Sequence, residues 1–330
     1  METFRIGLQK GSLNNPQRQG LTGQLLNGAG FILDGYESGK EKPYVEFRNF
    51  PEAGGVTVAS QSGPELLYDG KIDALVAGSD WIREWGLRGK PNVKKADLGF
   101  GVVKIVVGVK QSYADGMGDT DVYEFMLRRF DRAIGDEVGT AALECRSEFP
   151  HIAMDDIAQS EAYMARFGKS PPLLIESTGS TNKNNRTNTR VAIKHVLSQT
   201  EPELDMGADY IVESMQSGRS FKEAGIASVR RIMESEAGFY VSPRTAGDSE
   251  LASMADYFVW MLTGAKPVER PFGMGDRMLV KANFMRKYED EIDAFVVGNC
   301  FCDSGPTIMP VHGREGVDAE MAAMEVDIPM

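Results

Sequence analysis

Apolar residues along the chain fall in short blocks, separated by turns rich in glycine, serine and aspartate. The first block, Phe4–Leu8 (FRIGL), reads as a strand. It runs into Gln9-Lys10-Gly11-Ser12-Leu13 and then into a helix carrying Leu21, Leu25 and Leu26 on one face, closed by Gly28 and Gly30. Strands are predicted near Tyr44–Phe47 and Val56–Ala59, a helix over Pro64–Tyr68, and a buried strand over Ile72–Ala77 (IDALVA). Gly78-Ser79-Asp80 ends that strand, and Asp80 is placed to cap a short helix from Trp81. Strand, turn, helix and buried strand in this order imply a parallel or mixed sheet covered on both faces.

Val102–Val109 (VVKIVVGV) is a continuous apolar strand, and a domain crossover is placed near it. A Gly/Asp-rich loop over Asp115–Asp121 precedes a helix, Val122–Ile134, and Phe149-Pro150-His151 opens a helical stretch over Glu148–Phe167. Gly168–Asn188 is polar and reads as a surface excursion around a short apolar run, Leu173–Ile175. Strands return at Arg190–Leu197 and Ala208–Glu213. Ser217-Gly218-Arg219-Ser220 opens a helix to Gly225, and Leu251–Leu262 is a helix stopped by Gly264. Asp276–Met330 reads as a separate tail of strand, helix and one or two further strands.

Composition narrows the function classes. The formal net charge of −12 argues against a broad footprint on nucleic acid or an anionic membrane, but leaves room for a small phosphorylated ligand held locally. Three cysteines cannot form a disulfide framework. Cys300-Phe301-Cys302 lacks the second ligand pair that zinc requires. His151, His195 and His312 share no catalytic spacing. Met1–Leu13 holds no apolar core of signal-peptide length, and no run of ~18 apolar residues exists, so a cytoplasmic chain is expected. Trp81 and Trp85 lie one helical turn apart, which reads first as a core-facing pair and second as a base-stacking pair.

The chemistry concentrates in Ala208-Asp209-Tyr210-Ile211-Val212-Glu213-Ser214-Met215-Gln216-Ser217-Gly218-Arg219-Ser220-Phe221. An apolar strand ends in an acid, a loop of small residues follows, and a helix begins. Amides in such a loop converge on one place and favour an anion. Gly218 permits close backbone approach, Ser217 and Ser220 add hydroxyls, and Glu213 is placed to accept from sugar hydroxyls. The alternative is an ordinary strand–turn–helix junction capped by serine.

This stretch resembles the phosphoribosyl-diphosphate (PRPP) loop of the ATP phosphoribosyltransferase family. Glu213 stands at the family acid, Ser217, Gly218 and Ser220 at its T-G-x-T, and Gln216 where the family often has Glu. Arg5-Ile6-Gly7-Leu8-Gln9-Lys10-Gly11-Ser12-Leu13 is similar to R-I-A-L-P-K-G-R-L. Tyr68-Asp69-Gly70-Lys71-Ile72-Asp73 through Asp80 is similar to V-x-D-G-x-x-D-L-G-I-x-G-x-D, and Asp97-Leu98-Gly99-Phe100-Gly101 to D-L-G-F-G. Lys104 falls at a family basic position, Phe149-Pro150-His151 resembles its Y-P turn, and Thr200-Glu201 resembles the end of G-S-V-E. Gly305-Pro306-Thr307-Ile308-Met309-Pro310 is similar to the P-T-v-x-P of the long form's regulatory domain. The order of these motifs, more than any one of them, carries the match.

The resemblance implies an α/β, two-domain, type II periplasmic-binding-protein-like catalytic core with a small C-terminal ferredoxin-like (βαββ) module. Domain I would span 1–105, completed by about 226–270. Domain II, with the PRPP loop, would span 106–225, and the regulatory-like module 271–330. The implied enzyme is a pentosyltransferase that condenses ATP with PRPP to give N1-(5-phosphoribosyl)-ATP and pyrophosphate, the first step of histidine biosynthesis. Glu213 and Lys10 are the implied catalytic residues. PRPP would meet Glu213, Ser214, Gln216, Ser217, Gly218, Arg219 and Ser220, and the nucleotide Lys10, Gly11, Ser12, Glu201 and Lys104. Asp209 reads first as fixing the strand end. Mg²⁺ is the implied cofactor, carried with PRPP and needing no cage of protein ligands. Histidine is the implied inhibitor and a homo-oligomer, dimer or hexamer, the implied assembly, with no nucleic acid and no membrane partner.

The chain departs from the family pattern in five places, one of them Gly168–Asn188, which looks inserted and holds Gly179-Ser180, a rival to Glu201 as anchor of the G-S motif. Ser12 replaces an Arg, Ala59-Ser60-Gln61 stands where the family has an Arg, Ser198-Gln199-Thr200 replaces G-S-V, and the tail stops short of a full βαββαβ module. Two other readings stay open: a PRPP-dependent paralogue with a different heterocyclic acceptor, and a non-catalytic small-ligand binder of the same fold.

Overall fold

The computed structural model describes residues 3–15, 21–134, 143–167, 173–176, 191–196, 200–264, 277–285, 307–310 and 321–329. Met1–Trp260 and Met261–Met330 form two compact units.

The first unit holds two sheets. In the first, β1 (Phe4–Gln9), β2 (Leu33–Asp34), β3 (Tyr44–Phe47), β4 (Ala53–Val58), β5 (Ala74–Gly78) and β6 (Val93–Asp97) alternate with α1 (Thr22–Gly28), α2 (Gly63–Tyr68) and α3 (Ser79–Leu87). The second sheet takes β7 (Val103–Lys110), β8 (Leu143–Ser147), β9 (Leu173–Glu176), β10 (Val191–His195), β11 (Tyr210–Met215) and β12 (Ile226–Ser235). With these strands run α4 (Gln111–Met117), α5 (Val122–Ile134), α6 (Pro150–Gln159), α7 (Glu161–Phe167) and α8 (Arg219–Glu223). The chain then returns through β13 (Ala237–Val241), α9 (Pro243–Gly247) and α10 (Ser249–Gly264). The strand orders are β2-β3-β4-β1-β5-β13-β6 and β12-β7-β11-β8-β10-β9.

Strand direction places the site. β1 runs parallel to β4 and β5, while β8 runs parallel to β10 and β11. Their carboxyl ends therefore gather in two groups, one per lobe, where open α/β sheets bind ligands. The lobes are joined by two crossings, between β6 and β7 and between β12 and β13. At the second crossing the Ser79 amide donates to Glu236 O at 3.0 Å, and the Ala237 amide donates to Phe100 O at 2.9 Å.

Each lobe has its own core. In the second, Ile105, Val107, Tyr123, Phe149, Ile152, Tyr163 and Tyr210 pack together with Trp81 from α3. In the first, Phe258 of α10 is fully buried and stacks on Phe31 and Phe4, with ring centroids 4.8 and 5.8 Å away.

Several expectations change. Residues from 226 were expected to help complete the first domain, but β12 is an edge strand of the second sheet and the return comes at Ala237. Bulges at Ser228/Arg230 and Arg231/Met233 break the two-residue alternation of β12, so its pattern does not read as a strand. The run inside the expected surface excursion is β9, paired in parallel with β10. Part of the expected Asp115–Asp121 loop is the last turn of α4. The Glu148–Phe167 stretch is two helices, broken at Ser160. The remainder of Gly168–Asn188 lies outside the described residues, as do Ser198, Gln199, Cys300, Cys302, Gly305, Pro306, His312 and the expected tail helix at 288–295.

In the second unit, β14 (Arg277–Met285), β15 (Thr307–Pro310) and β16 (Met321–Pro329) form an antiparallel sheet of order β14-β16-β15. Among the described residues no helix is long and apolar enough to cross a membrane.

Candidate functional site

β11 carries Glu213 into the interior. Its partner residues on β7 are Val106 opposite Glu213 and Lys104 opposite Met215. The Glu213 carboxylate accepts from Thr200 Oγ1 at 2.8 Å, from the Ser214 amide at 2.8 Å and from Ser214 Oγ at 3.2 Å. Burial raises its pKa against the pull of these bonds. Thr200 is itself fully buried and opens the short turn Glu201–Leu204, which brings Glu201 close enough to act on Glu213.

The loop after Glu213 turns at Gly218, whose φ of 72° lies in the left-handed region that glycine tolerates. A Cβ there would also meet Met215 Sδ at 3.3 Å. The Arg219 amide donates weakly to Ser217 Oγ at 3.4 Å. Among the described residues, the amides of Ser217, Gly218 and Ser220 donate to no protein acceptor. The Arg219 side chain points outward and pairs with Glu223 at 2.7 Å, so its charge lies in solvent. Gln216, Ser217 and Ser220 are exposed.

Sequence reasoning missed Glu148, which follows β8 directly and precedes Phe149-Pro150. Its carboxyl is pushed up to about 8, first by burial and then by Glu213, Asp80 and Glu201. Asp80 belongs to the first lobe and the other two to the second, so carboxyls of both lobes act on Glu148. Its position at a parallel strand end, just before a helix-opening proline, was the available signal. Asp80 is buried, with its amide on Ser235 Oγ at 3.0 Å and its carboxylate accepting from the Trp81 amide at 2.8 Å. Gly78 leaves the space: a Cβ there would lie 2.3 Å from Asp80 Oδ1.

The pKa of Glu148 has a measurable consequence. In the folded chain it binds its proton up to about 8, but unfolded only to its ordinary value of 4.5. The stability it contributes is complete below 4.5 and is lost as pH rises through about 8. Melting temperature is therefore expected to fall over that window in ligand-free protein, and Glu148→Gln to flatten the fall. An identical slope in the variant would remove Glu148 from this role.

The other sequence-predicted residues are more dispersed. Lys10 is exposed at the end of β1; its amide donates to Val58 O at 3.1 Å and its charge acts on Glu41. Gly11 has φ 79°, and Ser12 is exposed in the turn Gly11–Asn14. Lys104 is exposed beside Met215, at the base of the loop. Asp209 accepts the Glu144 amide at 2.9 Å, which pins the start of β11 to β8. Trp81 is buried in the second-lobe core, while Trp85 donates its indole N–H to Gln61 O at 2.7 Å. Cys145 is buried, and its thiol is pushed up to about 12. Among the described residues, no three His, Cys, Asp or Glu side chains are grouped to hold a metal ion.

The family model for ATP phosphoribosyltransferase (HisG) matches residues 60–258. An ATP phosphoribosyltransferase of Pelotomaculum thermopropionicum is 37% identical over 81 residues, covering 24% of this chain and 25% of that protein. The chain thus aligns with only a quarter of that relative's length. Among solved structures, the ATP phosphoribosyl transferase (HisG:HisZ) complex from Thermotoga maritima aligns with TM-score 0.51 and 13% identity, over 80% of this chain and 98% of that one. The alkanesulfonate-binding protein SsuA of Xanthomonas axonopodis pv. citri aligns at TM-score 0.39 and 12% identity, over 80% and 73% of the two chains.

Proposed function

Because the chain belongs to the ATP phosphoribosyltransferase family, we propose that it transfers the phosphoribosyl group of PRPP to N1 of ATP, with release of pyrophosphate, the opening step of histidine biosynthesis. The supporting observation is the loop after Glu213, whose Ser217, Gly218 and Ser220 amides meet no protein acceptor among the described residues. Such a loop offers backbone donors to a 5′-phosphate. Glu213, one strand end away, accepts from the ribose hydroxyls in place of Thr200 and Ser214.

The sugar carbon becomes cation-like as pyrophosphate leaves, so positioning and charge stabilisation dominate over strong base catalysis. Bound with PRPP, Mg²⁺ would supply charge neutralisation at the pyrophosphate leaving group. Glu148 and Glu213 would face the metal–substrate complex from the second lobe, and Asp80 from the first. Lys10 meets phosphates from the first-lobe side of the cleft, and Lys104 and Glu201 flank the nucleotide. Arg219 contributes backbone rather than side-chain charge, since its guanidinium is paired with Glu223. The C-terminal sheet belongs to a regulatory-like module of ferredoxin-like type, the working unit is a homo-oligomer, and the setting is cytoplasmic.

One observation favours a second reading, a paralogue with another acceptor base: Ser12 is exposed where the family carries an arginine. Incubation with PRPP, Mg²⁺ and ATP is expected to release pyrophosphate and yield a phosphoribosyl-ATP adduct. Release with a different heterocycle but not with ATP selects the paralogue, and no release with any base overturns transfer.

A further inference from the structure

Glu84 is a charged residue with no exposure to solvent, and its partners lie mostly in the other lobe. It sits on α3 of the first lobe. Its carboxylate accepts from the backbone amides of His151 at 3.0 Å and Ile152 at 3.0 Å, in the first turn of α6 of the second lobe. His151 Nδ1 lies 2.8 Å from Oε1, and Arg88, one turn further along α3, donates to the same oxygen at 2.9 Å. A carboxylate on the first turn of a helix meets both its unpaired amides and the positive end of its dipole. The N-terminus of α6 is thus already occupied by an anion belonging to the protein.

The rest of α3 follows the same direction. Trp81, one turn before Glu84, is 7% exposed and packs in the second-lobe core, its ring 4.6 Å from that of Phe149. Asp80, beside it, is one of the carboxyls acting on Glu148. Arg83 reaches Asp155 of α6 at 3.0 Å, a partly exposed pair that solvent screens more than it does the buried Glu84. The buried carboxylate is therefore the strong polar contact of α3 with the other lobe, beside the apolar one made by Trp81.

We propose that Glu84 is a positioning residue that sets the approach of the two lobes, holding α6 so that Trp81 stays in the second-lobe core. Its effect on turnover rests on the transferase reading above; its effect on lobe approach does not.

The test uses Trp81 as reporter. In a Trp85→Phe/Trp260→Phe background, Trp81 is the one remaining tryptophan. Glu84→Gln keeps the size of the side chain but removes the charge. Its Trp81 emission is expected to shift to the red and its acrylamide quenching to rise severalfold, with helical circular dichroism retained. KM for PRPP is expected to rise about tenfold with kcat little changed, as for a cleft competent about a tenth of the time. Arg83→Ala is expected to leave both readouts at their starting values. Folded Glu84→Gln with Trp81 still shielded and KM unchanged overturns the proposal. Should Glu84→Gln not fold, His151→Ala, which spares the backbone bonds, is expected to show intermediate quenching, and unchanged quenching there overturns it as well. If the unsubstituted protein has no turnover with PRPP and ATP, the transferase reading fails, while the fluorescence result still decides the role of Glu84.

Discussion

Glu213→Gln is expected to lower kcat/KM by about 10²- to 10³-fold, the scale seen when one preorganised electrostatic contact to a transition state is removed. The substitution is close to isosteric. Glutamine Oε1 can still accept from Thr200 Oγ1 or the Ser214 amide, which now bond the carboxylate at 2.8 Å. Removing the charge also relieves a buried carboxyl whose pKa burial has raised. Melting temperature is therefore expected to stay level or rise while turnover collapses. Steady-state kinetics beside a thermal melt checks this. Turnover within a few-fold of the unsubstituted protein would take Glu213 out of the site, and a parallel loss of stability would assign it to structure.

Phe258→Ala is expected to remove about 3–5 kcal/mol of stability, the usual cost of emptying a fully buried phenylalanine site. Six aromatic rings surround Phe258: Phe31 and Phe4 stacked on it, Phe47 and Phe50 edge-on, and Phe239 and Tyr257 at 6.4 and 6.1 Å. They come from β1, β3, β13 and α10 and from the segments beside them, so no single neighbour can close the cavity. A loss of this size is a large part of a typical domain's 5–15 kcal/mol. Urea unfolding measures it, with Phe258→Leu expected to lose markedly less. A cost below about 1 kcal/mol would mean that α10 does not anchor the first lobe.

Much of the fold was legible because its signals are local. The apolar runs at 72–77 and 102–109 read as buried strands and overlap β5 and β7, and Ser217-Gly218 before an amphipathic turn marked a helix start. The strand–loop–helix carrying Glu213 was readable for the same reason. What stayed hidden depends on distant partners. The bulges in β12 disguise its period, and β9 becomes a strand only beside β10. Glu148 gains its character from Asp80, Glu201 and Glu213, which are far from it in sequence. Glu84 looks like an ordinary polar helix residue until α6 is laid against it. Arg219, which the sequence leaves open between ligand and solvent, turns outward to Glu223, at the spacing helices favour.

In the transferase reading, backbone amides after Glu213 hold the sugar phosphate. A crystal structure of the protein with PRPP and Mg²⁺ tests it most directly. The expected result is the 5′-phosphate within hydrogen-bonding distance of the amides at Ser217, Gly218 and Ser220, with the ribose hydroxyls on Glu213. A phosphate bound elsewhere in the cleft, with those three amides facing only solvent, would contradict it.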